Sequence, residues 1–231
     1  MAYYPILMDL EGRRVLVVGG GVVAERKVRT LLEFGAQVDV VSRELSPALK
    51  DLSEEGRVQW AGREFEPSHL KGAALVIAAT DDAEANRRVS AACREQGIPV
   101  NAVDQPADCT FIVPAVVRRG DLLLAVSTSG RSPALARAVR EELEARFGPE
   151  YADFLALMGS VREEVLARGR EQKENQALFQ ELVRSNLLDA VRRKDWSSAA
   201  AILTGILGTT WREADVLSRL ENDERRTQPW R

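Results

Sequence analysis

The sequence predicts an α/β protein: a doubly wound parallel sheet, then a small α+β segment, then a helical C-terminal part. Three observations carry this expectation. Short β-branched runs alternate with helical patterns through the first half of the chain. Three consecutive glycines, Gly19-Gly20-Gly21, stand between one such run and the helix that follows. From Pro149 onward the strand signal disappears and amphipathic helical spacing replaces it. Strands that alternate with helices pair in parallel through crossovers, and right-handed crossovers lead to a doubly wound sheet.

Arg14–Val18 reads as a buried strand that the glycines break, and Val22 to Glu33 as a helix with Gly35 just past its end. Gln37–Val41 is the second strand. Ser46-Pro47 has the cap-then-proline form of a helix start, and Gly56 ends that helix. Val58–Trp60 and Leu75–Ala79 are the third and fourth strands. Asp82 to Gln96 is a helix stopped by Gly97, and Val100–Val103 is the fifth strand. Ala115–Arg118 and Leu122–Ser127 flank Arg119-Gly120-Asp121, a hairpin signal. Ser132-Pro133 opens a helix in which Leu135, Val139, Leu143 and Phe147 recur at i+4. Phe154–Leu166, Gln176–Leu188 and Ser198–Leu207 read as amphipathic helices, and 209–231 as a polar tail that frays. The expected organisation is a sheet domain over 1–113, a hairpin-plus-helix segment over 114–147, a helical domain over 148–208 and the tail.

Apolar residues make up 45% and charged residues 29% of the 231, an ordinary globular balance. A net charge of -3 gives no global reason to expect nucleic acid or an acidic membrane as a partner. No apolar stretch approaches the roughly 20 residues that span a bilayer. The N-terminus lacks the basic segment and apolar run of a secretory leader, so a cytoplasmic protein is expected. The two cysteines, Cys93 and Cys109, have no metal-type spacing and are expected to be buried and inert. The single histidine, His69, has no second histidine with which to hold a metal and reads as a surface residue. No resident metal site is expected.

Gly19-Gly20-Gly21-Val22-Val23-Ala24 fits G-x-G-x-x-A in the strand-to-helix context that gives this pattern meaning. The first glycine permits a tight turn, the second lets backbone approach a pyrophosphate, and a small Ala24 lets helix pack closely on strand. The helix N-terminus then offers N–H groups and a partial positive charge to phosphates. A Rossmann-type dinucleotide domain is the resulting expectation, with Gly19, Gly20, Gly21, Val22 and Val23 at the cofactor. Ala78-Ala79-Thr80-Asp81-Asp82 ends the fourth strand, and Thr80 and Asp81 fall at the carboxyl edge where Rossmann ligands bind. An aspartate before a helix is equally what capping requires.

The acid expected about 20 residues after the glycines, for the ribose hydroxyls, is missing. The second strand ends in Val41-Ser42-Arg43-Glu44. Ser42 is a candidate for the ribose hydroxyls, and Arg43 for the adenine or a 2′-phosphate. Glu44 is a further cofactor-binding candidate, one position beyond the expected acid. The motif therefore leaves NAD and NADP both open.

The segments VVGGGVVAERKV, AATDD, NAVDQPADCTFIVPA and AVSTSGRSPALARAVREEL, in this order and spacing, resemble the precorrin-2 dehydrogenase/sirohydrochlorin ferrochelatase family. This is the amino-terminal module of sirohaem synthase, also found as a stand-alone enzyme. The resemblance runs to about Leu207, and with no methyltransferase module after it the chain looks like the stand-alone form. It implies oxidation of precorrin-2 to sirohydrochlorin with NAD as hydride acceptor, and in bifunctional members insertion of ferrous iron as a second substrate. It also implies a cytoplasmic homodimer, with residues 114–147 as a dimerisation segment and the C-terminal parts exchanged.

The family's key acid, in an N-x-V-D segment, falls on Asp104. This position lies just past the fifth strand at the sheet edge, where a carboxylate can take the proton that accompanies hydride removal. Without the resemblance, Asp104 in Asp-Gln-Pro reads as a turn residue. The macrocycle's acetate and propionate groups call for cations and N–H donors. Ser127, Thr128, Ser129, Gly130 and Arg131 lead into a helix start and form a natural anion cradle. Arg137 and Arg140 read as solvated. The rival reading is an NAD(H)-sensing regulatory domain, which would need neither Asp104 nor the cradle.

Overall fold

The computed structural model describes residues 3–169 and 171–222. Among them the fold divides into two compact units. The first takes the residues up to Val113 with Ser129–Arg131; the second takes Pro114–Thr128 and the residues from Ser132 on.

The first unit is built on five parallel strands, β1 (Arg14–Val18), β2 (Gln37–Val41), β3 (Val58–Gly62), β4 (Leu75–Ala78) and β5 (Val100–Ala102), in the order β3-β2-β1-β4-β5. This is the doubly wound sheet expected from the sequence. Helices α1 (Val22–Glu33) and α2 (Pro47–Glu54) bury Ala24, Val28, Leu31, Leu49 and Leu52 with Val15, Val17, Val38 and Val40. Helix α3 (Ala83–Glu95) belongs to a separate cluster, where Val89 and Cys93 pack with Leu16, Val18, Val76 and Val100. Alternate strand residues thus serve two apolar layers, and both faces of the sheet are covered, as a parallel sheet requires. Strand order reverses between β1 and β4, the switch point at whose carboxyl edge such sheets bind ligands.

The second unit starts with the antiparallel pair β6 (Ala115–Arg119) and β7 (Leu122–Val126). Gly120, with φ +58, occupies the two-residue turn, where a positive φ suits glycine. Helix α4 (Pro133–Arg146) lies against both strands, and none of its residues is fully buried. Helices α5 (Glu150–Ala167), α6 (Gln172–Arg184), α7 (Leu187–Arg192), α8 (Trp196–Leu207) and α9 (Glu213–Glu221) enclose one apolar core around Leu157, Leu182, Leu187, Leu203 and Leu207. Leu203 is completely buried there. Leu203→Ala should therefore cost about 2–5 kcal/mol, read from the denaturation midpoint of this unit. A loss under about 1 kcal/mol would show a core that collapses around the gap.

Two expectations for the helical part need correction. The helix expected over Gln176–Leu188 is interrupted, because Ser185 turns its hydroxyl back to Leu182 O at 2.7 Å and accepts the Leu187 N–H at 3.2 Å. That side chain competes with the helical ladder and separates α6 from α7. The expected polar tail contains α9, whose Val216 and Leu220 are buried together with Trp211. The Asp215 carboxylate accepts the Arg212 N–H at 2.8 Å, and Arg219 lies over Trp211 at 4.4 Å. Residues 223–231 of that expected tail fall outside the described residues.

Candidate functional site

A cleft of about 960 Å³ opens at the carboxyl edge of the sheet in the first unit. It falls within the roughly 300–1,000 Å³ usual for ligand sites. Gly19, Gly20, Gly21, Val22, Val23, Ser42, Arg43, Thr80, Asp81 and Asp104 all line it. Glu44 and Ser127–Arg131 are not among the lining residues.

Each glycine in the turn has its own reason to be glycine. Gly19 has φ +128, and a Cβ there would lie 2.3 Å from Ala79 O. A Cβ on Gly20 would lie 2.0 Å from Glu44 O and 2.6 Å from Ser42 Oγ. At Gly21 a Cβ would meet nothing within 4 Å, so this glycine leaves empty space beside the start of α1. Gly21 is also the N-cap of α1, with no side chain capping the helix. Free first-turn N–H groups beside open space are what a pyrophosphate needs, so these residues fit a dinucleotide. Glu44 meets this loop through its backbone: its carbonyl abuts Gly20 and accepts the Ser42 hydroxyl at 2.6 Å.

At the end of β2, Arg43 pairs with Glu64 at 2.9 Å. Arg63 donates to Arg43 O at 3.2 Å and lies 5.9 Å over Trp60, whose Nε1–H donates to Ser42 O at 3.0 Å. Arg63, Glu64 and Arg88 all line the cleft, and the sequence reading missed them.

Thr80 is held by Asn86, which is 2% exposed. Asn86 Oδ1 accepts from Thr80 N at 3.1 Å and from Thr80 Oγ1 at 2.8 Å, and its Nδ2 donates to Thr80 O at 3.1 Å. Asn86 and Ser90 stand at i,i+4 on the apolar stripe of α3, a polar pair whose burial was the readable signal. Asn86→Ala should cost about 1–3 kcal/mol by removing the partner of the Thr80 backbone N–H and C=O, measured by denaturant unfolding; an unchanged midpoint would contradict this clamp.

Asp82 caps α3. The N–H of Ala85, then that of Glu84, hold its carboxyl below the usual aspartate range. Its contribution is therefore fully present above the unfolded pKa and is lost as pH falls through the depressed value. The stability advantage of wild type over Asp82→Asn should vanish in acid. A gap constant across an acid titration would overturn that assignment.

Asp104 is exposed and lies in the left-handed region, with φ +60. Such a backbone persists where its surroundings over-determine it. Here Val103 N donates to Ala78 O and Gln105 N to Ala102 O, while Gln105 Nε2 donates to Ala83 O at 3.2 Å. Further along, Ser90 Oγ donates to Asp108 O at 2.6 Å and Arg94 Nη2 to Ala107 O at 3.0 Å. Gln105 lines the cleft, and its buried Oε1 has no hydrogen-bond partner among the described residues. Lys27, half-buried on α1, senses Asp104: burial and then Arg26 push its pKa down, and the Asp104 carboxylate pushes it back up.

In the segment 127–131, Ser129 and Gly130 have φ +52 and +80. Thr128 Oγ1 accepts from Ser132 N at 3.1 Å and donates to Ser132 O at 3.0 Å. Ser132 caps α4 through Leu135 N. Arg118 fastens its own hairpin on Gly120 O and Arg119 ties it to the end of α4 on Phe147 O, while Arg137 pairs with Glu141. His69 accepts the Glu66 N–H at 3.0 Å through Nδ1, a local cap. Burial pushes the Cys93 thiol up to about 11 and the Cys109 thiol up as well, which fits unreactive thiols. Among the described residues, no group of three or more His, Cys, Asp or Glu is arranged to hold a metal ion. Among them, too, no helix is long and apolar enough to cross a membrane.

A parallel sheet with this order, an uncapped helix after a glycine turn and a cleft at the switch point define a Rossmann-type dinucleotide-binding protein. An NAD(P)-binding family model matches residues 6–115, and a sirohaem biosynthesis protein central model matches 119–146. The chain is 42% identical over 200 residues to siroheme synthase 1 of Aeromonas salmonicida (strain A449), covering 86% of this chain and 43% of that protein. It is 49% identical over 168 residues to a siroheme synthase of Methylobacillus flagellatus, covering 73% and 36%. A solved structure titled SirC, precorrin-2 dehydrogenase, superposes with a TM-score of 0.71 at 24% identity, over 90% of this chain and all of that one, and so shares the fold. The chain is similar to these sirohaem biosynthesis proteins across both matched regions. It spans less than half the length of the siroheme synthases it matches.

Proposed function

We propose that this protein is a cytoplasmic NAD-dependent dehydrogenase that oxidises precorrin-2 to sirohydrochlorin. The observation that carries the reading is one cleft that unites the uncapped α1 N-terminus, the space at Gly21 and the carboxylate of Asp104. The two family models and the siroheme synthase relatives supply the substrate class. Nicotinamide, when bound, accepts a hydride. Gly20, Gly21, Val22 and Val23 would hold the pyrophosphate on backbone N–H groups, with Gly19 keeping the turn tight while its own N–H donates to Val41 O. Ser42 and Arg43 would hold the adenosine half, and Thr80 and Asp81 the part between. Asp104 accepts the proton that leaves the macrocycle with the hydride. Ser127, Thr128, Ser129, Gly130 and Arg131 receive substrate carboxylates. Glu44 contributes its backbone rather than its carboxylate.

The enzyme acts as a homodimer with exchanged C-terminal parts in this reading. Its support is α4, which carries Leu135 54% exposed and no fully buried residue within its own chain. An NAD(H) sensor is not favoured, because a sensor has no use for a strained carboxylate beside the cofactor cleft.

Anaerobic incubation with precorrin-2 and NAD should yield sirohydrochlorin, followed by its absorption spectrum. No sirohydrochlorin overturns the reading. Adding ferrous iron afterwards reads the chelatase step in the same sample, with iron as second substrate: accelerated sirohaem formation assigns it to this protein, and the spontaneous rate removes it.

A further inference from the structure

The end of β2 lacks the acid that reads a ribose 2′-hydroxyl, yet a carboxylate stands beside it from another strand. Glu64 follows β3, and its Oε1 lies 2.9 Å from Arg43 Nη2, with both side chains lining the cleft. The position of Glu64 is built into the sheet edge. The β2–β3 register shifts between Val40 and Val41, so that Val41 pairs with Gly62 rather than Ala61. Such an irregularity at a sheet edge re-aims the residues after it. The next residue, Arg63, is then anchored on Arg43 O at 3.2 Å and over Trp60, and Trp60 is tied to Ser42 O. The turn that carries Glu64 is thus braced to the backbone of Ser42-Arg43, where the adenosine ribose of a dinucleotide falls in this fold.

We propose that Glu64 supplies from β3 the carboxylate missing from β2, and that the Glu64–Arg43 pair selects a 2′-hydroxyl dinucleotide over a 2′-phosphorylated one. The inference rests on the dinucleotide reading of the cleft and deepens it. Glu64 accepts a hydrogen bond from the ribose hydroxyl and repels a phosphate in the same place. It also occupies the guanidinium that would otherwise receive that phosphate. Both side chains are largely exposed, at 81% and 71%, so the pair adds little to stability and its removal leaves the fold intact.

The test measures dissociation constants of NADH and NADPH by nicotinamide fluorescence for wild type, Glu64→Gln and Glu64→Gln/Arg43→Gln. Wild type should prefer NADH. Glu64→Gln should move the ratio toward NADPH by about tenfold, equivalent to about 1.4 kcal/mol, and the double variant should lose the gain in NADPH affinity. A Glu64→Gln ratio within about twofold of wild type, with both nucleotides still bound, overturns this inference alone. So does a wild type that prefers NADPH. A wild type that binds neither nucleotide overturns the dinucleotide reading and this inference together.

Discussion

Asp104→Ala should lower dehydrogenase turnover by about 10²–10⁴, the range that a positioned general base contributes, while leaving the melting temperature and the NAD affinity close to wild type. The argument starts from the backbone. Asp104 holds φ +60 in a loop fastened by the Val103 and Gln105 amides and by Gln105 Nε2 on Ala83 O. The side chain is exposed in the cleft, so alanine removes chemistry and leaves packing alone. Aspartate tolerates the left-handed region better than alanine, so a small stability loss is part of the expectation. Asp104→Asn keeps the shape and the backbone preference but cannot take a proton. It should be nearly as slow as alanine. An asparagine variant with wild-type turnover would make Asp104 a turn residue and nothing more.

Two neighbouring glycines should fail in different ways. Gly20→Ala places a methyl 2.0 Å from Glu44 O, so the loop or the β2–α2 connection must move. That connection is also held by Ser46 N on Gly20 O at 2.8 Å, which leaves little room to yield. The expected result is a loss of about 1–3 kcal/mol, the usual penalty for overpacking, with a lower melting temperature before any ligand is added. Gly21→Ala meets nothing within 4 Å, so its stability loss is only the weaker N-cap preference of alanine, under about 1 kcal/mol. Its methyl occupies the space proposed for the pyrophosphate, so NAD affinity should fall by tenfold or more, about 1.4 kcal/mol at least. Calorimetry of both variants with and without NAD checks the pair. If Gly21→Ala binds NAD like wild type, the pyrophosphate does not lie on this turn.

The first unit was legible because local signals agreed with one another. Gly35 and Gly97 adopt positive φ just past α1 and α3, where they had marked the helix ends. Ser46 caps α2 with Pro47 in its first turn. The strand runs were apolar on both faces, as a doubly covered parallel sheet demands. The helical unit was less legible at its seams, because a single hydroxyl at Ser185 splits a continuous amphipathic pattern and Trp211, Val216 and Leu220 hide among charged neighbours. The cleft shows the same limit in another form. Gly19 to Val23, Thr80 and Asp81 were readable from motif and strand ends, since chain direction alone brings strand ends to one edge, whereas Asp104 was marked by the family resemblance and by spacing alone reads as a turn residue. Glu64 and Gln105 were not readable, because each acts on a residue 21 or 22 positions away, and for Asn86 the polar pair with Ser90 on the apolar stripe of α3 was the one signal available. Sequence spacing encodes no such meeting.

The central claim is that this cleft removes a hydride from precorrin-2 and gives it to NAD. Anaerobic reaction of purified protein with precorrin-2 and excess NAD, recording NADH and sirohydrochlorin in the same cuvette, tests it most directly. The account predicts that both appear together in equal amounts, and that both slow together by about 10²–10⁴ in Asp104→Ala. Sirohydrochlorin formed without matching NADH, or neither product formed by a protein that binds both reactants, would contradict it.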